Sequence, residues 1–299
     1  MRKSVLIFGR IGQVGEELAG TPWPFRADIT QIDKDDFDLV AENATGMEGL
    51  FASTQPDLVI NATAYTAVDK AESEKDLAFA LNARAPELMA QACATNNTPF
   101  VHISTDYVFA GDKDAPYVED DPIGPVSVYG ASKADGEAAI RAALERHIIL
   151  RTAWVYSAHG NNFVKSMLKL GAERDKLTIV NDQTGCPTSA REIASAIKTI
   201  AGQILVDPPS APYGTYHYVG GQKMTWHGFA EAIFEAAGAR GARTPAEVLP
   251  IPTSDYPTAA ARPANSVLDT AKIRTNWGIS APPQGQELAA VLDRLLGVA

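Results

Sequence analysis

Tyr129 and Lys133 stand four residues apart in the run Tyr-Gly-Ala-Ser-Lys, downstream of Ser104-Thr105-Asp106. A helix turns once in about 3.6 residues, so a phenol and an ammonium at this spacing share one face and can reach one bound molecule. The ammonium favours the phenolate. The pair therefore predicts a tyrosine drawn down from its ordinary pKa of about 10 toward the working range, able to pass a proton to a nascent alkoxide. Ser104 and Thr105 close an apolar run, which sets their hydroxyls at a sheet edge where a substrate carbonyl would lie.

Hydride transfer needs a dinucleotide beside that pair, and the start of the chain offers a cradle for one. Gly9, Gly12 and Gly15 follow the apolar run Ser4 to Phe8 and lead into a helical pattern over Gln13 to Ala19. Glycines here let the backbone bend tightly and approach a pyrophosphate at the amino end of the helix. Asp33 falls at the end of the second strand candidate, where a carboxylate accepts hydrogen bonds from ribose hydroxyls and favours NAD(H). Arg10 and Lys34 could approach a ribose 2′-phosphate, which keeps NADP(H) open.

Short strand patterns recur at Ala27 to Ile32, Asp57 to Asn61, Phe100 to Ser104 and His147 to Leu150, with helical patterns at Leu77 to Ala94 and Tyr129 to Glu145. This alternation predicts an α/β fold, a Rossmann-like doubly wound parallel sheet with ligands at the strands' carboxyl ends. Beyond Trp154, proline, glycine and aromatic residues become frequent, as in Asp207 to Gly214. Helices are still expected at Thr188 to Ile204, Trp226 to Ala237 and Gln284 to Leu296. The expected division is a dinucleotide-binding domain over 1–153, with 188–220 returning to it. Residues 154–187 and 221–299 would then form a smaller, mainly C-terminal α/β substrate lobe.

The 299 residues carry a net charge of −10, and no run of Lys and Arg is present to release counterions from a nucleic acid. The two cysteines, Cys93 and Cys186, lack metal-ligand spacing and suit a reducing compartment. The apolar run Val5 to Phe8 is too short for a signal peptide or a membrane span, so a soluble, cytoplasmic protein is expected. His102, His147, His159, His217 and His227 sit singly and read as packing or surface residues. Arg262, beside Pro263, could grip a diphosphate in bidentate fashion.

Taken together the motifs resemble the extended short-chain dehydrogenase/reductases, and within them the dTDP-4-dehydrorhamnose reductase family. The matching stretches run from Phe8 to Gly15, Asn61 to Glu72, Asn82-Ala, Ser104 to Phe109, Tyr129 to Lys133 and Gly136-Glu137. They continue through Arg151 to Tyr156, Gly160 to Phe163, Asn181 to Thr188 and Arg262 to Ser266, covering most of the chain. The resemblance implies reduction of the C4 ketone of a dTDP-4-dehydro-β-L-rhamnose by NADPH or NADH, in the making of dTDP-L-rhamnose for cell-surface polysaccharide. Tyr129 would be the proton donor, Lys133 would bind the nicotinamide ribose and tune Tyr129, and Thr105 would bond the carbonyl oxygen. Asp106 and Trp154 match nucleotide-sugar contacts. Gly12, Gln13, Val14, Asp33, Asp38, Leu39, Ala64, Tyr65 and Thr66 match cofactor contacts, beside Gly9, Arg10, Gly15, Ser104, Tyr129 and Lys133. The expected partners are the dTDP-sugar and a second copy of the chain in a homodimer.

Ile11 and Ser127 depart from the family pattern in loop detail. Some members of the family also gather carboxylates around a Mg²⁺ ion. Glu17 and Glu192 could supply two of them here, but the C-terminal segment offers Asp293 next to Arg294, whose guanidinium would compete. Salt bridging is the expected role for Glu17 and Glu192. Two other readings share the fold: a nucleotide-sugar dehydratase or epimerase, and a non-catalytic dinucleotide-binding subunit resembling the regulatory beta subunit of methionine adenosyltransferase. A dehydratase would need a glutamate after Thr105-Asp106, and the residue there is Tyr107.

Overall fold

A parallel sheet of six strands carries the molecule, seen in a computed structural model that describes residues 2–298. Its first half contains β1 (Lys3–Phe8), α1 (Gln13–Gly20), β2 (Ala27–Ile32), α2 (Ala44–Thr54) and β3 (Leu58–Asn61). Short helices α3 (Val68–Ala71) and α4 (Lys75–Phe79) then lead to α5 (Ala85–Thr95), β4 (Phe100–Thr105), α6 (Val128–Ala143) and β5 (His147–Thr152). Later come β6 (Val155–Tyr156), α7 (Phe163–Glu173), β7 (Lys176–Val180), β8 (Thr184–Gly185) and β9 (Thr188–Ser189). The chain ends with α8 (Ala190–Val206), β10 (Gly214–His217), β11 (Met224–Thr225), α9 (Trp226–Gly238), β12 (Glu247–Ile251), α10 (Ala271–Trp277) and α11 (Gln284–Leu296).

The sheet order is β10-β5-β4-β3-β1-β2, every pairing parallel. Strand order reverses between β1 and β3, so the turns leaving them diverge and open a crevice at their carboxyl ends. Helices cover both faces, which is why the inner strands read as continuous apolar runs rather than alternating ones. On one side α8 lays Ile193, Ile197, Ile200 and Ile204 against Val5, Ile7, Leu58 and Ile60. Each such side chain stabilises the fold by about 1.5–3 kcal/mol when fully buried. On the other side Leu88, Met89 and Ile140 meet Leu6, Val59 and Phe100. The sequence-derived strands and long helices all appear, and residues after 188 do add α8 and β10 to this sheet.

The expected helix over Leu77 to Ala94 is a helix with a widened middle. Between α4 and α5, residues Ala80–Arg84 form a π-helical turn. Pro86 follows within the first turn of α5, and without an N–H it cannot bond the carbonyl of Asn82. The widened turn frees the Asn82 side chain to act elsewhere. Its Oδ1 accepts from Tyr65 N at 2.8 Å, and its Nδ2 donates to Tyr65 O at 3.1 Å and to Ser132 Oγ at 3.0 Å.

A second apolar cluster gathers the later elements. Phe229, Ile233 and Phe234 of α9 pack with Val164 and Met167 of α7, Leu288 and Leu292 of α11, and Tyr156. Small ladders tie them: β12 to β7 and β6 to β9 in parallel, β11 to β8 antiparallel.

One ion pair fixes α6 on the sheet. Arg151, at the end of β5 and 1% exposed, donates from Nε and Nη2 to both carboxylate oxygens of Glu137 at 2.9 and 2.7 Å. Arg141 adds a third contact to Glu137 Oε2 at 2.7 Å. Burial alone would raise the Glu137 pKa. The Arg151 hydrogen bonds and charge overcome it, and the carboxyl stays below its ordinary value. Arg151→Leu leaves that carboxylate buried with most of its compensation gone, and should lower unfolding free energy by about 3–5 kcal/mol in urea melts. Removing both ends, in Arg151→Leu/Glu137→Leu, should restore much of the loss. A single-variant loss under about 1 kcal/mol would count against the pair as the anchor of α6.

Candidate active site

The helix spacing predicted for Tyr129 and Lys133 is realised in α6, whose amino end Ser127 caps by accepting from Gly130 N at 3.1 Å. Lys133 is fully buried. Its Nζ donates to Ile103 O of β4 at 2.7 Å and lies 3.0 Å from Nε2 of His102. His102 in turn lies 3.1 Å through Nδ1 from the Nδ2 of Asn61, at the end of β3. Tyr129 sits edge-on to Tyr107, their rings 5.5 Å apart.

The electrostatics differ from the sequence expectation. Burial pushes Tyr129 up to about 12, the Thr105 hydroxyl opposing this and the Asp106 carboxylate reinforcing it. Burial pulls Lys133 down to about 8 against the favourable charge of Glu137. In this pocket the tyrosine is a protonated acid, and the ammonium is itself disfavoured. A low-dielectric site penalises both charged forms, and spacing along a helix carries no information about burial.

Thr105 closes β4 and caps the short turn after it, accepting from Tyr107 N at 3.2 Å and donating to Asp106 Oδ1 at 3.0 Å. Asp106 is buried, and desolvation pushes it up to about 6, with hydrogen bonds from Ser266 and Thr105 opposing the rise. Ser104 Oγ and Asp106 Oδ2 are buried without a geometrically sound hydrogen bond. The predicted hydroxyls and carboxylate therefore converge at the carboxyl end of β4, beside Tyr129.

The glycine cradle takes the expected strand-turn-helix form. Gly9 has φ +100°, a conformation that disfavours side chains, and a Cβ on Gly15 would lie 2.3 Å from the Gly9 carbonyl oxygen. Gln31 of β2 pins the turn, donating to Gly9 O at 3.0 Å and Gly15 O at 2.8 Å. Asp33 accepts from the amides of Arg10 and Ile11 at 3.3 and 3.0 Å, while Arg10 pairs with Asp36 at 2.9 Å. A cavity of about 520 Å³ opens beside this turn, lined by Asp33, Lys34, Asp38, Leu39, Ala64 and Thr63 among others. Its size, its half-apolar wall and the open glycine turn suit the adenosine end of a dinucleotide.

Other predicted contacts have structural duties. Gln13 Oε1 accepts from Ser157 Oγ at 2.9 Å and Asn162 Nδ2 at 3.0 Å, tying the cradle to the later elements. Val14 lies in the core, so only its backbone could meet a ligand. Tyr65 donates from its hydroxyl to Glu74 at 2.6 Å, and Thr66 is exposed.

On the substrate side, Trp154 has φ +49°, a strained value for a bulky residue. Its indole stacks on Trp226 with ring centroids 3.5 Å apart and planes 6° off parallel, and Phe163 packs against Trp226 at 4.6 Å. Arg262 reaches across to Asp69 at 2.7 Å, so its guanidinium is engaged. Trp226 and Phe163 were not singled out from sequence. Both stand at helix starts, where an apolar ring reads as an ordinary staple to the core. His102 needs correction too: it was read as packing or surface, and it contacts the lysine of the pair.

The Mg²⁺ possibility finds no support. Glu17 is buried and paired with Arg294 at 2.6 Å, with His159 at 3.4 Å. Glu192 makes no salt bridge: it caps its own helix through Ser189 N at 3.0 Å, and burial raises it to about 7. Glu287 is held by Arg191 at 2.6 Å, and Asp293 by Arg240 at 2.7 Å. Among the described residues no group of His, Cys, Asp and Glu is gathered to hold a metal ion.

Comparison with known proteins narrows the class. Residues 1–296 match the family model for the RmlD substrate binding domain. The chain is 41% identical over 276 residues to the dTDP-4-dehydrorhamnose reductase of Sinorhizobium fredii, covering 92% of each. To that of Escherichia coli K12 it is 39% identical over 295 residues, covering 98% of each. Its fold is similar to the crystal structure of the Bacillus anthracis dTDP-4-dehydrorhamnose reductase in complex with NADP, with TM-score 0.87, 34% identity and coverage of 97% and 99%. The Thermus thermophilus UDP-glucose 4-epimerase complex with NAD, at TM-score 0.74 and 21% identity over 99% and 100% of the chains, shares the fold. The extended short-chain dehydrogenase/reductase fold, the family model and these relatives agree: the chain belongs to the dTDP-4-dehydrorhamnose reductase family.

Proposed function

We propose that the protein reduces the C4 ketone of dTDP-4-dehydro-β-L-rhamnose to dTDP-L-rhamnose, with NADPH or NADH as reductant. The observation that carries this reading is the convergence of Tyr129, Lys133 and Thr105 at the carboxyl end of the sheet, in a chain of this family. The glycine turn, Asp33 and the cavity walls would hold the dinucleotide, which when bound supplies the hydride.

The protein's own part is proton and charge control. Tyr129, protonated in its buried setting, gives its proton to the C4 oxygen as negative charge builds there. Thr105 turns its hydroxyl from Asp106 to the same oxygen and stabilises that charge. Lys133 binds the nicotinamide ribose. Trp154, backed by Trp226, offers a flat apolar surface to the nucleotide-sugar, and Arg262 exchanges Asp69 for its diphosphate. Tyr107, buried edge-on to Tyr129, occupies the place where a dehydratase would carry a carboxylate. The chemistry therefore ends at net reduction.

Tyr129→Phe removes the proton donor and leaves the ribose contacts in place. It should lower kcat by about 10²–10⁴-fold with the cofactor dissociation constant nearly unchanged. Turnover near wild type in that variant would sink the assignment. Arg10→Ala should raise KM for NADPH severalfold and leave KM for NADH alone, since only the former carries a 2′-phosphate for a guanidinium to grip. An equal change for both cofactors would remove Arg10 from that role.

A further inference from the structure

The chain of hydrogen bonds behind Lys133 has a fixed polarity. The backbone N–H of Thr63 can only donate, and it lies 2.9 Å from Asn61 Oδ1, with the Thr63 hydroxyl 2.6 Å from the same atom. This settles which end of the Asn61 amide is oxygen. Its other end, Nδ2, therefore donates to Nδ1 of His102 at 3.1 Å. A neutral imidazole carries one N–H, so the proton of His102 resides on Nε2. That nitrogen faces Lys133 Nζ at 3.0 Å. An ammonium has donors only, and two donors cannot share a hydrogen bond. The contact is satisfied when Lys133 is a neutral amine, accepting from His102 and donating to Ile103 O.

We propose that His102 is a positioning residue for the reaction: its Nε2–H holds Lys133 as a neutral amine, which keeps Tyr129 a protonated acid suited to reduction. The proposal rests on the reductase reading above for its catalytic meaning, and on geometry alone for the state of the ring and the lysine. Burial, followed by the charge of Lys133, keeps the imidazole itself far below its ordinary pKa, so it is neutral throughout the working range. The groups that face this pair are few. Glu137, one turn along α6, favours the ammonium, but Arg151 and Arg141 neutralise it. Asp106 acts on Tyr129 in the same direction as its burial. The ring of Phe100, 6.0 Å from that of His102, is uncharged.

The sign of the effect follows. A charged Lys133 would stabilise the phenolate and let Tyr129 lose its proton at lower pH, weakening it as an acid in reduction. Two substitutions should impose that state by different routes. His102→Gln can turn a carbonyl oxygen toward Lys133. Asn61→Asp puts an acceptor against Nδ1, draws the ring proton there and leaves Nε2 to accept from the ammonium.

The direct test reads ¹⁵N shifts of the His102 ring and the pH titration of the Lys133 ¹³Cε signal in the full chain without substrate, beside the pH profile of kcat. The expected wild-type ring bears its proton on Nε2, and the Lys133 midpoint lies near 8. In both variants that midpoint should rise and the basic limb of kcat should move down by about one pH unit or more. A wild-type proton on Nδ1 overturns the proposal, whether or not either variant folds. So does a Lys133 midpoint unmoved in two folded variants. A protein with the predicted ring and lysine but no turnover of the dTDP-4-keto sugar would instead overturn the reductase reading, so the two failures are distinguishable.

Discussion

The buried pair between Glu137 and Arg151 sets the geometry on which the site depends. Tyr129, Lys133, Glu137 and Arg141 follow one another at intervals of four along α6, so they form one stripe down the helix. Arg151 lies directly across from Ser104 in the register of β5 on β4. Clamping Glu137 to Arg151 with two hydrogen bonds therefore seats that stripe at a fixed height on the sheet. At that height Lys133 meets the Ile103 carbonyl and His102, and Tyr129 stands beside Thr105. A buried ion pair is a poor source of net stability, because desolvation offsets most of its attraction. Here its value is directional: a bidentate guanidinium accepts one placement of its partner.

The same burial that makes the clamp rigid decides the protonation states. Excluding water raises Tyr129 and lowers Lys133, so both groups are disposed to be neutral before any ligand arrives. A reductase needs a proton donor opposite its carbonyl, and a neutral phenol supplies one. An enzyme that drew a proton from an alcohol would need the reverse. The Tyr and Lys pair is thus compatible with either direction of chemistry, and its surroundings, including Asp106, His102 and the absence of a carboxylate at Tyr107, select among them.

Much of this was legible in the sequence where it depended on local spacing. The glycine turn announced itself because Gly9 must adopt a positive φ and Gly15 must touch the Gly9 carbonyl. The sheet followed from alternating apolar runs, and the stripe on α6 from helical periodicity. What escaped detection depended on residues distant in sequence. His102 looks like one more buried position in an apolar strand, and its partner Lys133 lies 31 residues away. The direction of the Tyr129 shift required knowing that α6 buries this face. Glu192 read as a salt-bridging carboxylate, yet it caps the helix that begins beside it. Trp226 gave no signal because its partner, Trp154, reaches it only through a strained backbone turn.

The central claim is that the protein transfers one hydride from cofactor to C4 and one proton from its own acid, with no return of either. Following the label from 4-²H NADPH during turnover of dTDP-4-dehydro-β-L-rhamnose tests it most directly. The account predicts one deuterium at C4 of dTDP-L-rhamnose and one oxidised cofactor per product. Product formed without label at C4, or without net oxidation of the cofactor, would contradict it.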